Sequence, residues 1–263
     1  MKKLISFDLK ADFGFLKKPD TNEPIYITYN MLHKPALLGI MGAITGLKGF
    51  KVVLETGRKK KRTYIPEYYD VFNKVKVGIQ PLNSENGNYM KTVIRYNNSV
   101  GYASREQGGN LLIDEQTLIK PSYRCFLLLE MENPIEAKLY HNIENNEAEY
   151  LPYLGKNDFS IWWDNFQKYD YEHFNPNCKS FKLASLFLKE ETLKDGVKYL
   201  RGFKPKPSVT SKFMYFENLP IGYNLDLMQY DIKPFAFTDW DLEQDYQVND
   251  TYKLSNEKII QLF

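Results

Sequence analysis

"HKPALLGIMGAITGL", residues 33–47, places three glycines inside a regular helical pattern, and these glycines decide how the helix can pack. Each interior glycine costs a helix about 1 kcal/mol relative to alanine, so an offsetting contact is expected. At about 100° per residue, Gly39, Gly42 and Gly46 lie within about 60° of one another. The opposite side carries the apolar side chains Leu37, Ile40, Met41, Ile44 and Leu47. The helix therefore has one bulky face and one bare face.

The bare face has two possible uses. It can let another element pack closely, which we favour for Gly42 and Gly46, or it can let a ligand approach the helix. Pro35 suits the first helical position, and His33 and Lys34 come just before it, at the positive end of the helix dipole. Free backbone amides beside a lysine predict a phosphate-binding place at this helix start.

Composition predicts a folded protein with a local rather than a global site for polyanions. The chain has 263 residues, 43% of them hydrophobic, which is enough for one large domain or two modest ones. Thirty-five basic and 33 acidic side chains give a net charge of only +2. A protein that coats nucleic acid over its whole surface is more basic. Any nucleic-acid site must therefore be confined to part of the surface.

Several classes of protein are disfavoured by the absence of their motifs. The longest apolar stretch falls short of the roughly 20 residues that span a bilayer, and no signal peptide opens the chain, so we expect a cytoplasmic protein without membrane contact. Cys125 and Cys178 lack CxxC spacing, so neither a disulfide framework nor a zinc site is expected, and Cys125 is predicted to be a buried core thiol. Phosphate-binding glycine motifs and regularly spaced carboxylates are missing, so we expect no nucleotide, metal or other cofactor.

Periodicity predicts an α+β fold. Residues 2–16 alternate as a strand, a short β run "IYITY" (25–29) precedes the glycine helix, and "KVKVGIQPL" (74–82) is a second strand. A buried strand at 123–131 precedes a helix at 133–146, whose start is marked by an Asn-Pro pair and a capping box. A last strand follows near "DFSIWWDNF".

The order β-α-β, long interruption, β-α-β is the ferredoxin-like pattern, which RNA-recognition domains also use. We expect this domain to cover residues 1–174. Short strand-like runs separated by turn clusters then predict a smaller β-rich C-terminal region at 175–263.

The interruption, residues 84–120, is far longer than a usual hairpin connection, which indicates a functional insertion or a mobile hydrophilic loop. It interleaves aromatic, basic and amide side chains, and stacking of a base on an aromatic ring contributes about 1–3 kcal/mol. The candidate RNA-binding residues in it are Tyr89, Lys91, Arg95, Tyr96, Tyr102, Arg105, Gln107 and Asn110.

Five stretches, in this order, resemble a known family. They are "FDLKADFGFL" (7–16), "LHKPALLGIMGAITGL" (32–47), "KVKVGIQPL", "KPSYRCFLLL" (120–129) and "LPYLGKNDF" (151–159). Together they are similar to the Cas-five subunits of type I CRISPR surveillance complexes, within the RAMP superfamily, and most of all to the type I-B variants. Many family members carry an arginine just ahead of the helix. Lys34 stands there in this chain, which keeps the charge but loses bidentate geometry.

The resemblance implies a ferredoxin-like RAMP domain from which residues 84–120 project as a thumb. It implies a non-catalytic RNA-binding subunit of the Cascade complex, which holds the 5′ handle of the crRNA and caps one end of the complex in antiviral defence. The expected partners are the crRNA, the backbone Cas-seven subunit, the large Cas-eight subunit and, in the assembled complex, target DNA. His33 and Lys34 would then lie at a phosphate site, and Lys10, Phe13 and Lys17 would flank the RNA groove.

An enzymatic alternative remains, because some type I-C relatives look like metal-independent endoribonucleases that process CRISPR repeat RNA. That chemistry needs a base for the 2′-OH and a cation for the developing charge. Of His33, His141 and His173, only His33 adjoins a basic residue in the predicted groove, and residues 84–120 contain no histidine. We therefore expect a binding protein rather than an enzyme. A general RNA-recognition protein outside CRISPR systems is a third possibility.

Overall fold

A four-stranded antiparallel sheet forms the centre of the fold. Its strands lie in the order β3 (Lys76–Pro81), β6 (Ser122–Glu130), β1 (Lys2–Ala11) and β7 (Ile161–Tyr169). The computed structural model describes residues 1–19, 24–50, 65–97, 112–175, 180–189, 191–194, 197–200, 213–243 and 248–263.

Two β-α-β connections build this sheet. Helix α1 (Lys34–Thr45) lies between β1 and β3 in the chain, and helix α3 (Pro134–Asn145) lies between β6 and β7. The predicted start of α3 is confirmed, because the Asn133 side chain accepts the Ile135 N–H. A short helix, α2 (Glu67–Phe72), packs against α1.

Both faces of the sheet contribute to a core. On β1, Ile5 and Phe7 belong to the cluster that contains the apolar side chains of α1 and α3. The alternate residue Leu4 packs instead with Phe126 and with Tyr252 near the C-terminus. The strands on this second side are β16 (Thr251–Leu254) and β17 (Ile259–Gln261) near the C-terminus, and β8 (Tyr171–His173), which pairs with β16.

Further antiparallel sheets flank the central one. One contains β2 (Phe13–Gly14), β5 (Leu112–Ile119) and β4 (Lys91–Asn97), and another contains β10 (Phe187–Leu188), β14 (Gln229–Thr238) and β13 (Met214–Asn224). The short pairs are β9 (Ser180–Phe181) with β15 (Leu242–Glu243), and β11 (Glu191–Lys194) with β12 (Val197–Leu200). The described part of the chain is thus α+β, with mostly antiparallel sheets and few helices, and is compatible with a RAMP-like fold.

Three local expectations are settled by the structure. The β run predicted at 25–29 is wrong as a strand: Tyr26 and Thr28 form only isolated bridges. Cys125 is confirmed as a core thiol, since it is fully buried and burial raises its pKa, whereas Cys178 lies outside the described residues. No helix among the described residues is long and apolar enough to cross a membrane.

Candidate nucleic-acid interface along helix α1

A groove of about 680 Å³ runs along one side of helix α1. This side is not the predicted bare face as a whole: the helix residues that line the groove are Pro35, Ala36, Gly39, Ile40 and Ala43, with Leu47 just beyond the helix. Aromatic side chains supply much of the remaining surface, namely Phe15, Phe50, Tyr68, Tyr150, Tyr153, Tyr223 and Tyr230. We call this feature the α1 groove.

The charges of the α1 groove have one sign. Its described lining residues include Lys17 and Lys156 but no aspartate or glutamate, although the chain has 33 acidic side chains. A concave surface with cations and no carboxylates attracts anionic ligands.

The three glycines of the opening stretch have three different roles. A Cβ at Gly39 would lie 3.9 Å from the Tyr68 ring, so this position is open to the groove. A Cβ at Gly42 would overlap the Cβ of Tyr68, which confirms the packing role predicted for Gly42. The sequence pattern placed Gly46 inside the helix, but in the structure it lies at the helix end. It adopts φ 84° and ends the helix as a left-handed cap, and its N–H donates to the Gly42 carbonyl.

The start of helix α1 is more enclosed than the sequence predicts. The His33 ring is buried between edge-on contacts with Tyr29 and Tyr230, and its Nδ1 accepts the Ala36 N–H at 3.3 Å. Burial lowers the pKa of His33 to about 3, so the imidazole is neutral at physiological pH.

The Lys34 side chain likewise has a partner within the protein. Its side chain is buried, and its Nζ donates to the main-chain oxygen of Phe263 at 3.0 Å. Burial lowers the pKa of Lys34 to about 8. Lys34 does not line the α1 groove, whereas His33 does, so the structure does not bring these two predicted phosphate contacts together in the groove.

The residues predicted to flank the groove near the first strand are dispersed. Lys10 forms an ion pair with Asp164 at 2.6 Å on the sheet. Phe13 is 41% exposed and contacts the Phe159 ring, with centroids 5.9 Å apart. Of these candidates, only Lys17 lines the α1 groove.

The base of the predicted thumb belongs to the core. Tyr89 is buried and its hydroxyl is hydrogen-bonded to the main-chain oxygens of Leu82 and Ser122. Lys91 donates from Nζ to the Asn30 side-chain oxygen at 2.9 Å. These two side chains hold the hairpin of β4 and β5 to the body of the protein rather than presenting free groups to RNA.

Further along the same hairpin, the basic and aromatic candidates have partners within the protein. Arg95 forms a bidentate ion pair with Asp114, with N–O distances of 2.7 and 2.6 Å. The Tyr96 hydroxyl lies 3.5 Å from a Glu115 carboxylate oxygen. The remaining thumb candidates, Tyr102, Arg105, Gln107 and Asn110, lie outside the described residues.

Lys156 is a residue that sequence reasoning missed. Its Nζ pairs with the Glu115 carboxylate at 3.0 Å, and Glu115 is almost completely buried. The same ammonium lies 4.4 Å from the centroid of the Tyr96 ring. Lys156 therefore joins the β4–β5 hairpin to the edge of the α1 groove. Lys156 lies in the quoted "LPYLGKNDF" motif, but the spacing of residues in the sequence gives no indication that its partner, Glu115, lies 41 positions away.

A second missed feature is the segment 149–155, which we call the tyrosine loop. It exposes three large side chains beside the groove, Tyr150 (56%), Leu151 (71%) and Tyr153 (46%). A Pro and a Gly inside a short aromatic run were the sequence signal that could have identified it.

The opposite wall of the groove is a packed aromatic cluster. The Tyr223 and Tyr230 rings stack with centroids 5.2 Å apart, and the Tyr223 N–H donates to the Tyr69 hydroxyl at 2.9 Å. Burial raises the pKa of Tyr68 to about 12, so its hydroxyl stays protonated and can donate a hydrogen bond. This wall offers ring edges and hydroxyl groups to a planar, polar ligand.

The groups that line the groove indicate what it can bind. Within the described ranges, no three His, Cys, Asp or Glu side chains are grouped so as to hold a metal ion. The groove instead combines stackable rings, neutral hydroxyl donors and lysines, which are the groups that proteins use to bind unpaired nucleotides.

Comparisons with known proteins give only distant similarities. No protein-family model matches the chain, and no curated protein matches it. Among solved structures, a CRISPR protein from Archaeoglobus fulgidus is 13% identical with a TM-score of 0.44, covering 99% of this chain and 98% of that one. A chain of a CRISPR RNA-guided surveillance complex is 11% identical with a TM-score of 0.45, covering 90% and 91%. A Cas protein is 13% identical with a TM-score of 0.33, and the match covers 59% of this chain and 57% of the Cas protein.

Proposed function

We propose that this protein is a non-catalytic RNA-binding subunit of a type I CRISPR surveillance complex, of the Cas-five kind and most similar to its type I-B variants. In this role it holds the 5′ handle of the crRNA and contacts a Cas-seven backbone subunit and a Cas-eight large subunit, in a complex that meets target DNA. The observation that carries the proposal is the α1 groove, whose described lining is rich in tyrosine, contains lysines and includes no carboxylate.

The topology supports the same assignment. The quoted motifs that resemble the family include β1, helix α1, β3 and β6, and these elements form the central sheet and the helix that lines the groove. A strand order of β3-β6-β1-β7 with two β-α-β connections is in keeping with a ferredoxin-like domain. The handle of a crRNA is single-stranded, so its bases are available to aromatic rings.

The state of His33 favours binding over cleavage. An endoribonuclease that works without metal needs a base whose pKa lies near the working pH. The His33 imidazole has a pKa of about 3, and its Nδ1 lone pair is already engaged by the Ala36 N–H. We therefore propose no catalytic role for it.

A single assay separates these roles. The protein is incubated with end-labelled CRISPR repeat RNA in EDTA, and binding is resolved on a native gel while cleavage is resolved on a denaturing gel. We expect retention of intact RNA, with preference for the 5′ handle over a scrambled strand of equal length. Defined cleavage that disappears in His33→Ala would identify an endoribonuclease instead. Equal retention of the scrambled strand would indicate a general RNA-binding protein.

A further inference from the structure

We propose that the tyrosine loop makes the α1 groove a receptor for unpaired RNA bases, with Tyr150 and Tyr153 stacking on bases and Lys17 contacting the adjoining phosphate. This inference rests on the proposed function for the identity of the strand as RNA. It goes further in naming the bases, rather than the backbone, as the part of the strand that enters the groove.

The tyrosine loop is held in place before any ligand arrives. At one end, the N–H groups of Glu149 and Tyr150 donate to the Ile44 and Ala43 carbonyls, at 3.2 and 3.0 Å, which are among the last carbonyls of helix α1. At the other end, the Leu154 carbonyl accepts the Phe15 N–H at 3.1 Å. A loop fastened at both ends can present aromatic rings without a large loss of entropy on binding.

Gly155 lets the tyrosine loop pack closely against the main chain of Phe15. Its φ is 85°, a left-handed conformation, and a Cβ at this position would overlap the main-chain oxygen of Phe15. Glycine is therefore required here, both for the backbone turn and for the contact. This contact fixes the loop in a position in which the half-exposed rings of Tyr150 and Tyr153 lie beside the groove.

Exposure distinguishes the two walls of the α1 groove. The rings of Tyr223 and Tyr230 stack on each other, and Tyr68 is almost fully buried. Tyr150 and Tyr153, in contrast, are 56% and 46% exposed beside a floor that Gly39 leaves bare. Large apolar surface held rigidly in water at the rim of a concavity is typical of a binding site.

The charges favour unpaired nucleotides over a duplex. A duplex hides its base faces and presents phosphates, and neutralising them takes many cations. The α1 groove has Lys17 and Lys156, and the Lys156 ammonium is already paired with Glu115. Stacking must then contribute more of the affinity than ion pairing does, and only exposed base faces allow it.

The test uses repeat-derived RNA in which single handle positions carry 2-aminopurine, whose fluorescence is quenched by stacking. We expect quenching at one or more handle positions on binding to the wild-type protein. Tyr150→Ala and Tyr153→Ala should each weaken binding by about tenfold and reduce the quenching. Tyr150→Phe and Tyr153→Phe keep the rings and should bind as the wild type does.

Two further variants guard against indirect effects. Gly39→Leu adds bulk to the groove floor and leaves the sequence of the tyrosine loop unchanged, and it should also abolish quenching. Trp162→Ala is the matched control, because Trp162 is as exposed as Tyr153, at 46%, but lies on β7 outside the groove. We expect Trp162→Ala to leave affinity and quenching unchanged.

The outcomes separate this inference from the proposed function. If the wild-type protein binds repeat RNA but the tyrosine and Gly39 variants bind equally well, the groove is not the base site, although the RNA-binding role stands. Equal, tyrosine-dependent binding of a fully paired RNA would overturn the choice of unpaired bases. A wild-type protein that retains no repeat RNA would overturn both.

Discussion

Alanine substitution should change the stability of the protein in opposite directions at two glycines of helix α1 that are three residues apart. At Gly39 the new methyl group meets nothing closer than the Tyr68 ring at 3.9 Å, so Gly39→Ala should raise the free energy of unfolding by about 0.5–1 kcal/mol through helix propensity. At Gly42 the methyl group would overlap Tyr68, so Gly42→Ala should lower the free energy of unfolding despite the same gain in propensity. Urea denaturation of both variants measures the difference, and a shift of the same sign for both would contradict the assigned roles.

The folded protein should lose stability in mild acid, because His33 is buried in its neutral form. Its pKa is about 3 in the folded protein and about 6.5 when unfolded, so the unfolded chain takes up the proton first as the pH falls. Stability linked to this group is complete above pH 6.5 and decreases as the pH approaches 3. At pH 4.5 the loss is on the order of 2–3 kcal/mol.

His33→Asn supplies the comparison, because asparagine also caps helices but does not titrate. The free energies of unfolding of the two proteins are measured by urea denaturation from pH 7 to pH 4.5. We expect the wild type to lose stability relative to His33→Asn across this interval. Parallel pH profiles would show that the imidazole is not buried in the neutral form.

At the scale of elements, the ion pair between Lys156 and the buried Glu115 carboxylate helps to hold the β4–β5 hairpin. Lys156→Met leaves the Glu115 carboxylate buried without its cation, which should cost about 3 kcal/mol. Because the Tyr26 backbone also bonds to β5, we expect the hairpin to loosen rather than the whole protein to unfold. Hydrogen exchange should therefore accelerate in 91–97 and 112–119 more than in the central sheet.

A second substitution tests the cause of that loosening. Adding Glu115→Gln to Lys156→Met removes the buried charge and should restore much of the lost protection. Arg95→Ala breaks an ion pair on the same hairpin whose arginine side chain is 68% exposed, so it should leave exchange nearly unchanged. Equal loosening by Arg95→Ala would mean that charge in general, and not the buried pair, holds the hairpin.

The elements that sequence could predict are those with local causes. The capped helix α3 follows from Asn133, Pro134 and four-residue apolar spacing, and the alternation in residues 2–16 predicted β1, which ends earlier, at Ala11. The side-chain contacts that the sequence could not predict involve distant partners. Lys34 bonds to a residue 229 positions away, and the register that places Arg95 opposite Asp114 is a property of the paired strands. No pattern in one segment reveals whether a charged side chain is free or already paired.

The α1 groove could not be predicted from the sequence either, because the residues that line it are far apart in the chain. Of the bare helix face visible in the sequence, Gly39 lies on the floor of the groove, but the walls come from Tyr68, Tyr153 and Tyr223, which only the tertiary fold brings together. An aromatic-rich composition suggested stacking rings without saying which ones. The C-terminal strands add to this dependence on the whole chain, because β13 and β14 supply one wall of a groove in the N-terminal half.

At the scale of the whole molecule, the net charge is only +2, so the salt dependence of RNA binding should come from the few lysines of the groove and be shallow. The logarithm of the binding constant falls with the logarithm of salt concentration by about 0.7 for each phosphate neutralised on a single strand. Lys17 lines the groove, so Lys17→Ala should weaken RNA binding and make this slope shallower by about one unit or less. Tyr153→Ala should lower affinity by a similar factor at every salt concentration, since stacking releases no counterions.

Lys10 is the matched control for this measurement, because it is a nearby lysine whose ammonium is paired with Asp164 and does not line the groove. Lys10→Ala should therefore keep the wild-type slope. Fluorescence anisotropy with handle RNA between 50 and 300 mM salt, on the order of the range over which screening changes strongly, measures all four proteins. If Lys10→Ala and Lys17→Ala reduced the slope equally, the positive potential would be spread over the surface, and the absence of carboxylates in the groove would no longer identify the RNA site.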